Sequence, residues 1–150
     1  KSIKNNLVGE STINLKPALF DYFKSLVVNV LLRNGDAHLK KYGLIYKDTS
    51  SIVNLAPIYD IVTTTAYLPK DIMALTLNGS KRWASRDDLL AFATKSCMLS
   101  NAQASQIFEE VIAAIKQVSE LLTQEVELNH KFKDIGLQML AIWRDSITSF

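Results

Sequence analysis

Residues 34–60 read NGDAHLKKYGLIYKDTSSIVNLAPIYD, and the fold turns on this stretch. Gly43–Tyr46 and Ile52–Leu55 are short runs of strand-forming residues. Lys47-Asp48-Thr49-Ser50-Ser51 between them is turn chemistry, so the three pieces predict a β-hairpin. Ala56-Pro57 closes the second run, because proline cannot donate to a strand ladder. Polar segments flank the hairpin, Asn34 to Gly43 on one side and Leu55 to Asp60 on the other.

Upstream, the spacing predicts a helix starting near Pro17. Proline suits a first helical turn, where its missing N–H would be unpaired anyway. Leu19, Phe20, Phe23, Leu26, Val27, Val30 and Leu31 recur at helical spacing, and Asn34-Gly35 ends the pattern. This helix is apolar around much of its girth and is expected to be the most buried element. Residues 1–14 are polar and mixed, and read as a loop or weakly ordered lead-in. Residues 61–83 are ambiguous: Ile72–Leu77 fits a strand or a loop, and Asn78-Gly79-Ser80 is a turn. Beyond them the pattern is helical. Ser85 with Asp88 three residues on has capping-box spacing. A second helix begins at Asn101 or Ser105 and runs to Leu121 or Leu122, with Ile107, Val111, Ile115, Val118 and Leu122 on one face. A third covers about Asn129 to Thr148, its apolar side carrying Phe132, Ile135, Leu137, Leu140, Ile142 and Trp143. These last two helices are expected to cover one side. The expected fold is mostly α, a helical body with one short hairpin beside a polar loop, in a single domain over residues 1–150.

Bulk properties exclude several classes. The 150 residues are 48% hydrophobic and 21% charged, enough apolar material for a core without staples. The net charge of +2 and short basic pairs at Lys40-Lys41 and Lys81-Arg82 argue against direct nucleic-acid binding. A lone cysteine, Cys97, allows no internal disulfide, rules out zinc-finger spacing and fits a reducing cytoplasm. It lies in a helical pattern and reads as a core thiol. No apolar run approaches a membrane span, since Leu26–Leu32 is short and broken by Asn29. The chain opens on Lys1 rather than Met, which fits a piece of a longer protein.

Taken alone, each polar segment has an ordinary reading. Asn34-Gly35-Asp36 is common turn material, and Asp60 can cap the next element. Together they say more, because a hairpin brings its ends close and lets Asp36 and Asp60 face one cleft. Phosphoryl transfer uses such a pair: one carboxylate orients the attacking hydroxyl and takes its proton, and another holds Mg²⁺ against the nucleotide phosphates.

RNGDAHLK, then YGLIY, then LAPIYDIVTT, in this order and spacing, resemble the HipA-like serine/threonine kinases, the toxin component of bacterial toxin–antitoxin pairs. The resemblance covers most of the chain, from the first helix onward, and its specificity lies in the two motifs. It implies a protein-kinase-like C-terminal lobe and a reaction that uses ATP and Mg²⁺. Position by position it makes Asp36 the catalytic aspartate and Asp60 the metal-binding aspartate. Tyr59 and Lys40 would border the nucleotide. His38 lies where ordinary protein kinases carry a loop lysine near the transferred phosphate; a histidine that merely braces the loop is the other reading. Asn34 would shape the loop, and His130 reads as surface. Implied partners are a protein substrate such as an aminoacyl-tRNA synthetase, an antitoxin of HipB type, and an N-terminal kinase lobe.

Two departures from the family stand out. Lys41 occupies the position of an asparagine metal ligand, and lysine has donors but no acceptor; weakened metal binding and reduced turnover are expected. In addition, no Gly-rich phosphate loop or lysine-bearing strand precedes residue 15, so the chain reads as about half a kinase. Both departures keep open a non-catalytic kinase lobe serving as an interaction module. A phosphotransferase acting on a small molecule or lipid is a further alternative.

Overall fold

A computed structural model describes residues 15–47 and 54–150. The lead-in of residues 1–14, the turn at 48–51 and the start of the second strand run at 52–53 lie outside the described residues. In chain order the elements are α1 (Leu15–Leu31), a 3-10 turn (Leu39–Lys41), β1 (Leu44–Ile45), β2 (Asn54–Leu55), a second 3-10 turn (Thr64–Ala66), α2 (Arg86–Ser96), α3 (Asn101–Leu128) and α4 (Lys133–Thr148). The described chain is mostly helical with one two-stranded antiparallel sheet.

The side chains of α1 explain its place. Phe23, Val27 and Leu31 are fully buried, with Leu19, Leu26 and Val30 nearly so. They pack with Leu89 and Ala93 of α2, with Ala104, Ile107 and Phe108 of α3, and with Trp143 of α4 in one core. Phe23 and Phe108 meet as a tilted ring pair with centroids 5.8 Å apart. Burial of this order contributes roughly 1.5–3 kcal/mol per large side chain.

How α1 ends determines where the polar loop begins. Asn34 N–H donates to the Asn29 carbonyl at 2.9 Å and Arg33 N–H donates to the Val30 carbonyl at 3.2 Å. This is the Schellman pattern, which requires a left-handed residue after the helix. Arg33 fills that role at φ 55°, so the chain turns at Arg33 and not at Gly35. The Arg33 guanidinium stacks on Trp83, 5.1 Å from the ring centroid, and its burial lowers its pKa.

The hairpin pairs Leu44 with Leu55 and Ile45 with Asn54. Ala56 N–H donates to the Gly43 carbonyl at 2.8 Å and extends the ladder one step before Pro57. Residues 61–83 are mostly irregular, with the 3-10 turn at Thr64–Ala66 and several tight turns. Asn78 and Gly79, at φ 50° and 82°, reverse the chain and allow a Leu77–Ser80 bridge, while Met73 and Leu77 are buried.

Helix α2 starts with the full capping box, Ser85 Oγ accepting from Asp88 N–H and the Asp88 carboxylate accepting from Ser85 N–H. Helix α3 starts at Asn101 behind a second box that the sequence reading missed, Ser100 with Gln103. It also runs on to Leu128, past the expected end at Leu122, packed along α4. Val118, expected on the apolar face, is about half exposed, 48%. Residues 129–132 form the turn into α4, so that helix begins at Lys133, not at Asn129. Leu137 lies on its outer side, contrary to expectation, while Trp143 faces the core. Helices α3 and α4 pack against each other, and Val126 is buried beside Gly136. No helix among the described residues is long and apolar enough to cross a membrane.

Tyr22 and Tyr42 pack 5.1 Å apart between centroids. Burial raises both phenols above their ordinary value of 10.0, Tyr22 far above it. The unfolded chain ionises them near pH 10, where the folded chain keeps them neutral. Their contribution is therefore complete below pH 10 and lost as pH rises beyond it. Tyr22→Phe is expected to flatten the loss of stability between about pH 10 and 11.5, read by urea unfolding.

Candidate active site

The loop that follows α1 is held from three directions. Asn34 is buried, 3% exposed, and donates from Nδ2 to Asn29 Oδ1 at 2.7 Å. Asn29 is itself held in α1 by donating to the Ser25 carbonyl at 2.9 Å. Asn34 Nδ2 also reaches the Asp60 carbonyl at 3.5 Å, and its Oδ1 accepts from Asp36 N–H at 3.1 Å. On the other side, Gly35 N–H donates to Thr64 Oγ1 at 2.8 Å. Thr64 O–H in turn donates to the Arg33 carbonyl at 3.1 Å. A buried polar network of this kind gives a loop one geometry, because each group left unpaired would be costly.

Asp36 projects from this loop beside His38, with Nε2 3.1 Å from Asp36 Oδ1. Across the hairpin, Asp60 adopts φ 57°. A left-handed conformation costs a residue with a Cβ about 1–2 kcal/mol, and here it is held beside the Asn34 contact. Lys41 joins the two acids. Its Nζ bonds Asp60 Oδ2 and lies 3.3 Å from Asp36 Oδ2. The lysine side chain is 23% exposed, against 48% for Asp36 and 45% for Asp60. Tyr59 O–H donates to the Lys40 carbonyl at 2.8 Å, a second tie between the two ends of the hairpin. Lys40 meets Tyr59 through its backbone, and its side chain is exposed.

Asp36, His38, Lys41, Tyr59 and Asp60 therefore form one open cluster, while His130 is exposed in the α3–α4 turn. Sequence reasoning passed over Asn29 and Thr64. Asn29 was visible only as a polar break in an apolar helix, and that break, on the core side five residues before Asn34, was the signal. Thr64 lay in a run of three threonines with nothing to single it out. Behind the loop lies a cavity of about 490 Å³, lined by Tyr22, Asn29, Tyr42, Met73 and Trp83 among others. Neither Asp36 nor Asp60 faces it.

The donor set suits a hard cation. Two carboxylates from opposite ends of the hairpin share one cation, the Lys41 ammonium, which marks where positive charge is favoured. Among the described residues no group of three or more His, Cys, Asp or Glu converges on a metal position. Magnesium commonly takes one or two carboxylates and completes its shell with water and phosphate oxygens, so Asp60, with Asp36 adding negative charge beside it, fits it provided Lys41 moves aside.

Comparison with known proteins agrees with the motifs. Over 79 residues, 51% of this chain, the sequence is 37% identical to a Sinorhizobium fredii (strain NBRC 101917 / NGR234) protein named "Putative kinase Y4dM". The alignment takes in 19% of that protein, so the chain spans about a fifth of this relative's length. The family model described as the HipA-like C-terminal domain matches residues 5–119. That match takes in α1, the polar loop, the hairpin and α2, and ends inside α3. It covers well over half of the chain, which belongs to the HipA-like C-terminal domain family.

Proposed function

We propose that the chain is the C-terminal lobe of a serine/threonine protein kinase and transfers a phosphoryl group from Mg²⁺–ATP to a protein hydroxyl. The observation that carries this reading is the convergence of Asp36 and Asp60 on a single cation across the hairpin. Bound Mg²⁺–ATP supplies the phosphoryl group and the positive charge that offsets the phosphates. Asp60 would hold the metal through its carboxylate. Asp36 would orient the acceptor hydroxyl and take its proton as the new O–P bond forms and the bond from the γ-phosphorus to its bridging oxygen breaks, with ADP leaving. His38, 3.1 Å from Asp36, offers a donor to the transferred oxygens, and Tyr59 and Lys40 border the nucleotide.

The partners proposed with it are those the family resemblance implies: an N-terminal lobe that encloses the nucleotide, a HipB-type antitoxin, and a substrate such as an aminoacyl-tRNA synthetase, all in the cytoplasm. The test is transfer of labelled γ-phosphate by the protein joined to its N-terminal lobe. Asp60→Asn is expected to abolish measurable transfer at 1 mM Mg²⁺ while leaving the fold intact by circular dichroism. Unchanged transfer would remove Asp60 from the metal site.

A second reading has its own observation. Lys41 already pairs with both acids, which favours a non-catalytic lobe kept for partner binding. Absence of Mg²⁺–nucleotide binding at Asp36 and Asp60 with the N-terminal lobe present would decide for it.

A further inference from the structure

Lys41 is rooted in the 3-10 turn Leu39–Lys41. The turn is closed by Lys41 N–H donating to the His38 carbonyl at 2.9 Å and Tyr42 N–H donating to the Leu39 carbonyl at 3.1 Å. Its neighbour Lys40 is bonded through the carbonyl to Tyr59, and Tyr59 adjoins Asp60. The root of the lysine and the root of the aspartate it grips are thus fastened to each other by one hydrogen bond. From that fixed root the ammonium reaches both carboxylates and is the least exposed of the three charged groups. A surface ion pair between two free side chains loses much of its value to side-chain ordering. Here the Tyr59 hydroxyl already ties the two attachment points together.

A divalent cation held by Asp60 would need the carboxylate oxygen that Lys41 grips. The ammonium has three donors and no lone pair, so it cannot join a metal's shell and repels an ion placed beside it. From this arrangement we infer that Lys41 is a tethered cation occupying the Asp36–Asp60 pair. A divalent metal enters only by displacing it, and position 41 thereby sets how much metal the site demands. This deepens the proposed kinase reading and rests on it only for the claim that the displacing metal serves phosphoryl transfer.

The test is Mn²⁺ affinity, read by electron paramagnetic resonance of free Mn²⁺ against the full 150-residue chain. Lys41→Asn and Lys41→Gln each remove the ammonium, and making both keeps the comparison if one misfolds. Both are expected to bind Mn²⁺ about tenfold more tightly than the parent, the equivalent of one charge-assisted hydrogen bond released. Lys41→Arg keeps a tethered cation and is expected to stay at the parent's affinity. Adding Asp60→Asn to Lys41→Gln is expected to erase the gain. Equal affinity in the parent and both neutral variants, including no binding in any of them, overturns the inference. So does a gain that survives Asp60→Asn. Should Mn²⁺ affinity rise as described while no form transfers phosphate with its N-terminal lobe present, the kinase reading falls and the tethered cation stands.

Discussion

Asp36→Asn is expected to slow phosphoryl transfer by about 10²–10⁴-fold, the usual contribution of a positioned general base. Mg²⁺–nucleotide affinity should stay within about threefold, because the amide removes one negative charge but not the metal ligand at Asp60. The residue's surroundings support this separation. Its backbone is fixed through Asn34, its carboxylate faces His38 and Lys41, and about half of the side chain remains open to an acceptor. Asparagine is nearly the same shape and keeps the loop's backbone bonds, so a fall in turnover with intact folding isolates the chemistry. Steady-state transfer and nucleotide titration on the protein joined to its N-terminal lobe measure both quantities. If nucleotide affinity and rate fell together, Asp36 would be a binding group and not a base.

Gly35→Ala is expected to destabilise the fold by about 2–3 kcal/mol, in the upper range for forcing a methyl group into a filled site. A Cβ built at Gly35 would run into the Asp71 carboxylate and come within 2.7 Å of the Ile72 carbonyl. The carbonyl belongs to the backbone and cannot swing away. The loop is pulled against this wall by the Gly35 N–H bond to Thr64, so relief means breaking that bond and moving Asp36. The thermal midpoint should fall by roughly 5–10 °C for a chain of this size. Gly79→Ala provides the contrast. Gly79 has φ +82° but open space around its missing Cβ, so only the conformational cost of about 1 kcal/mol applies. Equal losses at the two glycines, measured by thermal unfolding, would mean that the wall behind Gly35 is soft.

The helical body was legible in the sequence because its signals are local. The apolar period of α1, the Ser85–Asp88 box and the Ile107–Val111–Ile115 stripe each lie within a few residues of chain, and packing agrees with them. Helix ends were less legible. The left-handed turn at Arg33 resists recognition because a Schellman ending usually takes glycine, and Gly35 stood two residues away as the obvious candidate. The extension of α3 to Leu128 depends on packing against α4, which composition does not reveal. At the site, the hairpin suggested that Asp36 and Asp60 meet, and the family resemblance added His38 and Tyr59. The groups that hold them, Asn29 five residues before Asn34 and Thr64 29 residues after Gly35, act across the fold. Lys41 was visible as a departure from the family pattern. That its ammonium reaches both acids became apparent only once the hairpin was folded.

The most direct measurement is a crystal structure of the chain joined to its N-terminal lobe, grown with Mg²⁺ and a non-hydrolysable ATP analogue. The metal should be bound to the Asp60 carboxylate, with Lys41 turned away and the terminal phosphate within about 5 Å of Asp36, room for an acceptor hydroxyl between them. A nucleotide seated elsewhere, or Lys41 still bridging both acids beneath a metal-free nucleotide, would contradict it.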